Sequence, residues 1–160
     1  MTNRSLLGIL PCIVAAISLG GCATATKFRQ SKLDSPAVLE ESRQRSAFLV
    51  WQDVQVFSID GKVADAGFLT PQGGGRFKID PGMRHIVANV RFNQGSGVFE
   101  GKAVIDVDLR SATTYTLAGK VVDAEVQVWV VEKKTGQAVS EVARGPFMKA
   151  PKVVGVPIII

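Results

Sequence analysis

The stretch RHIVANVRF, residues 84–92, decides the fold because apolar side chains recur in it at every second position. A β-strand turns successive side chains to opposite faces, whereas a helix repeats its apolar positions every three or four residues. Residues 84–92 therefore predict a half-buried strand. Its inward face consists of Arg84, Ile86, Ala88, Val90 and Phe92, and its outward face of His85, Val87, Asn89, Arg91 and Asn93.

The same alternation continues on both sides of this strand. Val98 to Leu109 turns Ala103, Ile105, Val107 and Leu109 inward, and Ala124 to Val131 turns Val126, Val128 and Val130 inward. Further strands are predicted at Val54–Ile59, Phe68–Thr70, Arg76–Ile79, Tyr115–Val121 and Ala138–Val142. Turn residues such as Asp60-Gly61 and Pro81-Gly82 separate them. The pattern predicts an all-β fold, a single antiparallel β-sandwich of about seven or eight strands over residues 47–160.

Charge and cysteine content restrict the function classes. The 160 residues carry a formal net charge of +5, but lysine and arginine are spread along the chain, and the longest basic run is Lys133-Lys134. Nucleic-acid binding needs clustered positive charge, so no nucleic-acid partner is predicted. The two cysteines, Cys12 and Cys22, both precede the β-domain, which can therefore form neither a disulfide nor a thiolate metal site.

The N-terminal residues have the organisation of a secretory signal peptide. One positive charge, Arg4, precedes a mostly apolar run from Leu6 to Leu19. As a helix this run spans about 21 Å, whereas crossing a bilayer takes about 30 Å. A charged start and a short apolar segment that ends in small residues predict a secretory signal peptide.

Leu19-Gly20-Gly21-Cys22 resembles the lipobox of bacterial lipoproteins. The resemblance implies that the Cys22 thiol receives a diacylglycerol. It also implies that cleavage between Gly21 and Cys22 removes residues 1–21 as the signal peptide and leaves Cys22 as the acylated first residue of the mature protein. Several acyl chains hold a protein on a membrane far better than one. Since Ala23 rather than aspartate follows the cysteine, the resemblance also implies anchoring at the outer membrane, facing the periplasm. The alternative is an ordinary signal peptide with an incidental cysteine.

Residues 22–46 are polar and are predicted to tether the lipid to the β-domain. Ser35 and Pro36 favour the start of a short helix there, because serine caps a helix N-terminus and proline fits its first turn. Glu40 and Glu41 would then lie near the positive end of the helix dipole. The basic residues near Cys22 either contact anionic lipid headgroups or belong to a solvated linker.

Three segments carry further resemblances. FKIDPGMRHIVANV (residues 77–90) is similar to the strand, Pro-Gly turn, histidine and strand of PEGA-type and related transthyretin-like modules. SIDGKV (58–63) and YTLAGKVVDAEVQVWVVEKKTG (115–136) resemble segments of small proteobacterial lipoproteins. The first resemblance implies a transthyretin-like or immunoglobulin-like sandwich. It also implies a domain that binds a partner in the cell envelope without catalysis.

Few residues carry recognisable chemistry. His85 is the only histidine, which excludes a multi-histidine metal site. Asp106 and Asp108 share one strand face with Cα atoms about 7 Å apart. This spacing suits acid–base attack on a glycosidic bond, a calcium site or an ordinary solvated face. The glycine-rich stretches lack the Gly-Lys-Ser/Thr ending of a phosphate-binding loop. We therefore predict no catalytic residue, no metal and no cofactor.

Trp129 and the C-terminal tail are the candidate partner contacts. Trp129 lies on the other face of its strand from Val128. If the indole is exposed there, it would anchor an interface with a partner; if the domain covers it, it has a structural role. Burying the tail contributes at most about 1.5–3 kcal/mol for each side chain. The tail is thus expected as an edge strand of the domain or as a strand added to a partner's sheet. Its apolar residues are Val153, Val154, Val156, Ile158, Ile159 and Ile160.

Taken together, these patterns favour a membrane-anchored envelope lipoprotein that binds or scaffolds without catalysis. Its predicted partners are the membrane, through the lipid on Cys22, and an envelope protein, peptidoglycan or lipopolysaccharide. One alternative is an envelope glycan hydrolase that uses Asp106 and Asp108. The other is a small carrier of lipid or another ligand, which needs an interior cavity.

Overall fold

Every regular element of the computed structural model, which describes residues 26–47, 50–64 and 74–150, is a β-strand. The predicted all-β class is confirmed. The predicted signal peptide, Cys22, the predicted strand Phe68–Thr70 and the aliphatic tail lie outside the described residues. The strands are β1 (Ala37–Glu40), β2 (Ser42–Ala47), β3 (Val50–Ile59), β4 (Lys62–Val63), β5 (Arg76–Ile79), β6 (Gly82–Gln94), β7 (Val98–Leu109), β8 (Thr114–Val122), β9 (Glu125–Glu132) and β10 (Ala143–Lys149).

The strands form one curled sheet with the order β2-β3-β6-β7-β10-β9-β8-β1-β5, and β4 adds to β3. Neighbouring strands are antiparallel except β1 and β8, so the sheet is mixed rather than wholly antiparallel. β10 connects two halves, since Ala143–Pro146 pair with β9 and Phe147–Lys149 pair with β7. We call β2, β3, β4, β6 and β7 half A, and β5, β1, β8 and β9 half B.

The core lies between the two halves and consists of the residues that the alternating pattern turns inward. In β6, Ile86, Ala88 and Val90 are fully buried, as the sequence predicts. The predicted inward residues of β7 and β9 are buried as well. Glycine brings the halves close together, because a Cβ on Gly119 would lie 3.0 Å from the Val54 side chain of the opposite half. Each fully buried Val, Leu or Ile side chain contributes about 1.5–3 kcal/mol to folding.

The short helix predicted at Ser35-Pro36 is wrong, because strand β1 begins directly after these residues. Ala37 and Leu39 are fully buried in the core, and their neighbours in β1 point the other way. β5 supplies antiparallel partners for all of β1, and β8 supplies parallel ones on the opposite side. These long-range partners outweigh the local preference for a helix cap.

The β-domain also starts well before the predicted boundary at residue 47. The Phe28 N–H donates to Val63 O at 2.8 Å, and the Val63 N–H donates to Thr26 O at 2.9 Å. Phe28 packs edge-on against Phe77 of β5, with 6.2 Å between the ring centroids. Residues 26–46 therefore belong to the folded domain rather than to a polar tether. They add β1 and β2 to the strands that the sequence predicts.

Up to residue 150, where the described part of the chain ends, the last strand is β10 rather than the predicted Ala138–Val142, which carries a single β-bridge. The hydroxyl of Ser140 accepts the Val130 N–H at 2.9 Å and so takes the place of a backbone partner. Gly145 lets β10 cross β7 at short range, since a Cβ there would lie 1.8 Å from Lys102 O. This glycine and the proline after it break the alternating pattern, which explains why β10 was not predicted.

Candidate interaction surfaces

Two turns are held together by Arg84, near the start of β6. Its guanidinium donates to the Asp60 carboxylate at 2.9 Å and to the backbone oxygens of Asp80 and Pro81 at 2.8 and 2.9 Å. Arg84 is thus half-buried at the end of the inward face, where its guanidinium links the two turns. Burial acts to raise the pKa of Asp60. Hydrogen bonds from the His85 N–H and from Arg84, with nearby positive charge, outweigh burial and hold that pKa below its usual value.

His85 and Asp106 form a cross-strand pair on the outer face of half A. The β6–β7 register sets them opposite each other, and His85 Nδ1 lies 2.8 Å from Asp106 Oδ1. The histidine side chain is 53% exposed and the aspartate side chain 70%. Asp108, the next outward residue of β7, lies opposite Met83. The sequence analysis did not predict this pair. It could have been found by counting residues from the turn at 94–97, because residues equally far from that turn lie opposite each other in β6 and β7.

This face is a poor match to an acid–base site. Asp106, one of the two candidate carboxylates, is engaged by His85, and both members of the pair are largely in water. Solvent screens an exposed pair and limits its contribution to at most about 1 kcal/mol. Within the described ranges, no group of three or more His, Cys, Asp or Glu side chains could hold a metal ion. The geometry favours a solvated strand face.

Buried charge occurs at the crossing from β1 to β2. The Glu41 carboxylate accepts the Val56 N–H at 2.9 Å and the Gly75 N–H at 2.6 Å. Burial raises the pKa of Glu41 above its usual value, the charge of Asp53 adds to this, and the two hydrogen bonds with the charge of Arg43 offset it only in part. Arg43 donates to both Asp53 oxygens, at 2.7 and 2.8 Å. This network joins strands of both halves and has a structural role.

Trp129 lies on the outer face of half B, which is the face predicted from the sequence. Its cross-strand neighbour on β8 is Ala118, and the next pair on that face is Lys120 with Gln127. Trp129 is half-buried. One aromatic ring among small, polar and basic side chains has the composition of an interface with a polar rim. A partner contact at Trp129 stays a prediction.

The second half of β7 is a free sheet edge in the described part of the chain. β10 accompanies only the first half of β7, and no described strand continues beside Val104, Asp106 and Asp108. The Ala150 N–H donates to Val98 O at 2.9 Å, so the backbone groups of Val98 point toward β10. Residues two apart in a strand point the same way. The N–H and C=O groups of Val104, Asp106 and Asp108 therefore point to the open side.

No family model matches the chain, and no curated protein and no solved structure gives a significant match to it. Across residues 26–47, 50–64 and 74–150, no helix is long and apolar enough to span a bilayer. Cys22 and the tail contacts from Val153 to Ile160 lie outside these ranges. Their predicted roles therefore rest on the sequence alone. The structure adds two surface features, the open edge of β7 and the His85–Asp106 pair beside it.

Proposed function

We propose that this chain is a lipid-anchored protein of the bacterial envelope whose β-domain binds or scaffolds a partner without catalysis. Residues 1–21 act as the signal peptide, and lipid on Cys22 holds the mature protein at the outer membrane, facing the periplasm. The partners are the membrane itself and an envelope protein, peptidoglycan or lipopolysaccharide. The basis for the anchor is the motif from Leu19 to Cys22.

The observation that supports this proposal is the small number of residues between Cys22 and the first hydrogen-bonded residue of the β-domain. Thr26 and Phe28 are already hydrogen-bonded to Val63 of β4. An extended chain covers at most about 14 Å from Cys22 to Thr26. Lipid on Cys22 would therefore hold the domain close to the bilayer, with β4 near the membrane. Such an anchor gives the domain a defined orientation for meeting a partner at the membrane surface.

Positive charge near β4 supports this orientation. Lys27 forms a β-bridge with Val63, and Lys62 and Arg29 are exposed nearby in the chain. Anionic headgroups attract a basic residue at the membrane surface by about 1 kcal/mol each. These residues would then contact headgroups instead of forming part of a solvated linker.

We further propose that halves A and B are the two layers of a transthyretin-like or immunoglobulin-like sandwich. The inward faces of the two halves pack against each other, with Gly119 of β8 against Val54 of β3. β10 would then be a corner strand shared by both layers. Strands that pass from one layer to the other are a known way to close the corner of two packed sheets.

The two alternative functions have less support. A glycan hydrolase would use Asp106 and Asp108, but Asp106 is engaged by His85 and is exposed. A lipid carrier would need space between the halves. At Gly101 and Gly119 the halves instead approach so closely that a Cβ would meet a facing side chain at 3.0 Å.

Acyl labelling and membrane fractionation test the anchor. Wild type and the matched control Cys12→Ser should incorporate labelled palmitate, run at the mature size and float with membranes. Cys22→Ser should incorporate no label and should accumulate as the longer precursor. A Cys22→Ser protein that still runs at the mature size and floats with membranes would show that the anchor assignment is wrong.

A further inference from the structure

We propose that the open edge of β7 is an acceptor site for an extended segment of a partner polypeptide that carries lysine or arginine at alternate positions. This inference rests on the proposed function as a binding module. The segment pairs antiparallel with β7 through the backbone groups of Val104, Asp106 and Asp108, and it extends half A by one strand. Strand addition takes its affinity from main-chain hydrogen bonds and its specificity from alternate side chains.

The site exists because β10 leaves β7 part-way along its length. Phe147 of β10 lies opposite Gly101 of β7, so continued pairing would set Ala143 opposite Ile105. Ala143 pairs instead with Val128 of β9. The second half of β7 is therefore left without a described strand beside it, while its inward side chains Ile105, Val107 and Leu109 stay buried in the core. The main-chain groups of an open edge are a template for another strand.

The segment that follows β9 carries two exposed apolar side chains. Residues 139–142 follow β9 rather than β7, since the Val139 N–H donates to Val130 O at 2.8 Å. Val139 and Val142 are 37% and 48% exposed, which is high for valine in a strand-rich domain. In a paired segment, every second side chain would turn toward the inner face of half A, where Ile105 and Val107 are buried. Those positions of the segment should therefore be apolar.

The charged side chains along the edge of β7 determine which residues suit the outward positions of the added segment. Asp106 and Asp108 point outward from β7, and Asp106 is largely exposed although it is paired with His85. Lys102, at the closed end, has its ammonium 3.6 Å from the centroid of the Phe57 ring. Between Lys102 and the exposed Arg110, the outward side chains of β7 are therefore Val104 and two aspartates. Side chains directly opposite in an antiparallel pair are close neighbours, so the outward positions of the segment should be basic.

Amide hydrogen exchange on the full chain in detergent micelles tests the site with a short probe peptide of alternating valine and lysine. Free protein should exchange the amides of Val104, Asp106 and Asp108 quickly, while those of Ile105 and Val107, which face β6, stay protected. At a peptide concentration of ten times Kd, the three edge amides should slow about tenfold. A peptide with glutamate in place of lysine should give no slowing.

Two variants separate pairing from charge. Val104→Pro removes an edge N–H without touching the β6 side, and it should abolish peptide protection. The matched control Val104→Thr keeps that N–H and should bind as wild type does. Asp106→Asn should weaken binding about two- to fivefold, the loss expected for one exposed charge pair.

The chain's own tail is the competing occupant of the edge. The inference is overturned if the three edge amides are protected in the free full chain and lose that protection when residues 153–160 are deleted. It is also overturned if the peptide slows the amides of Asp106 and Asp108 equally in Val104→Pro and Val104→Thr. Neither result would alter the labelling of Cys22, so a failure here is distinguishable from a failure of the proposed function.

Discussion

Replacing Gly145 with alanine tests how β10 crosses β7. A Cβ at this position would lie 1.8 Å from Lys102 O and 2.9 Å from the carbonyl carbon of the same residue. Both atoms belong to the backbone of β7, which β6 fixes on its other side. They cannot move aside as the end of a side chain does. β10 must therefore shift by roughly 1.5 Å to restore an ordinary contact distance.

The shift reaches Phe147, two residues further along β10. The Phe147 ring packs edge-on against Phe92 and Phe99, with 5.0 and 5.8 Å between the centroids. Overpacking costs about 1–3 kcal/mol, and each aromatic pair contributes about 0.5–1.5 kcal/mol. Gly145→Ala should therefore lower the free energy of unfolding by about 3 kcal/mol, out of the 5–15 kcal/mol typical of a domain.

Urea unfolding followed by circular dichroism measures this loss. Gly136→Ala is the matched control, because a Cβ there meets nothing within 4 Å and only the positive φ of 71° adds strain. That strain costs about 1–2 kcal/mol. An equal or smaller loss in Gly145→Ala than in Gly136→Ala would refute the short-range crossing of β10 over β7.

Charged groups give three more predictions. Arg84→Met should cost about 1 kcal/mol at neutral pH. The stability lost in Arg84→Met should shrink as the pH falls through the lowered pKa of Asp60, because Arg84 stabilises only the ionised carboxylate. Urea unfolding at several pH values measures this change. Wild type should gain stability relative to Glu41→Gln as the pH falls from 7 toward 4.5, the usual pKa of glutamate, because a raised pKa means that folding favours proton uptake. The same titration measures that difference. Asp106→Asn should change the free energy of unfolding by less than about 1 kcal/mol, because its pair with His85 is exposed. It should also leave any release of cell-wall glycan fragments unchanged, as a glycan-release assay would show.

The period-two pattern located β6, β7 and β9 because each is long and has one face in the core and one in solvent. For such strands the sequence also predicts which residues are buried, as Ile86 and Ala88 show. The outer face of β6–β7 was half predicted: Asp106 and Asp108 were placed together, and the partner His85 was missed. Pairing depends on register, which the turn determines and the alternating pattern does not.

Other elements depend on contacts that no local pattern reveals. β1 is only four residues long, and it is a strand because β5 and β8 lie on either side of it. Ser35 and Pro36 carry a local helix signal that these long-range contacts override. Glu41 was assigned to the same helix, so its buried role was not predicted. The open edge of β7 follows from where β10 leaves it, which depends on Gly145 meeting the backbone of a strand far away in the chain.

The central claim is that a folded β-domain is attached to the membrane through Cys22. Mass spectrometry of the N-terminal peptide of the membrane-extracted protein tests it most directly. The account predicts a peptide that begins at Cys22 and carries a diacylglyceryl group on sulfur and an acyl group on its amine. A peptide that extends upstream of Cys22, or one in which this thiol is free, would contradict it.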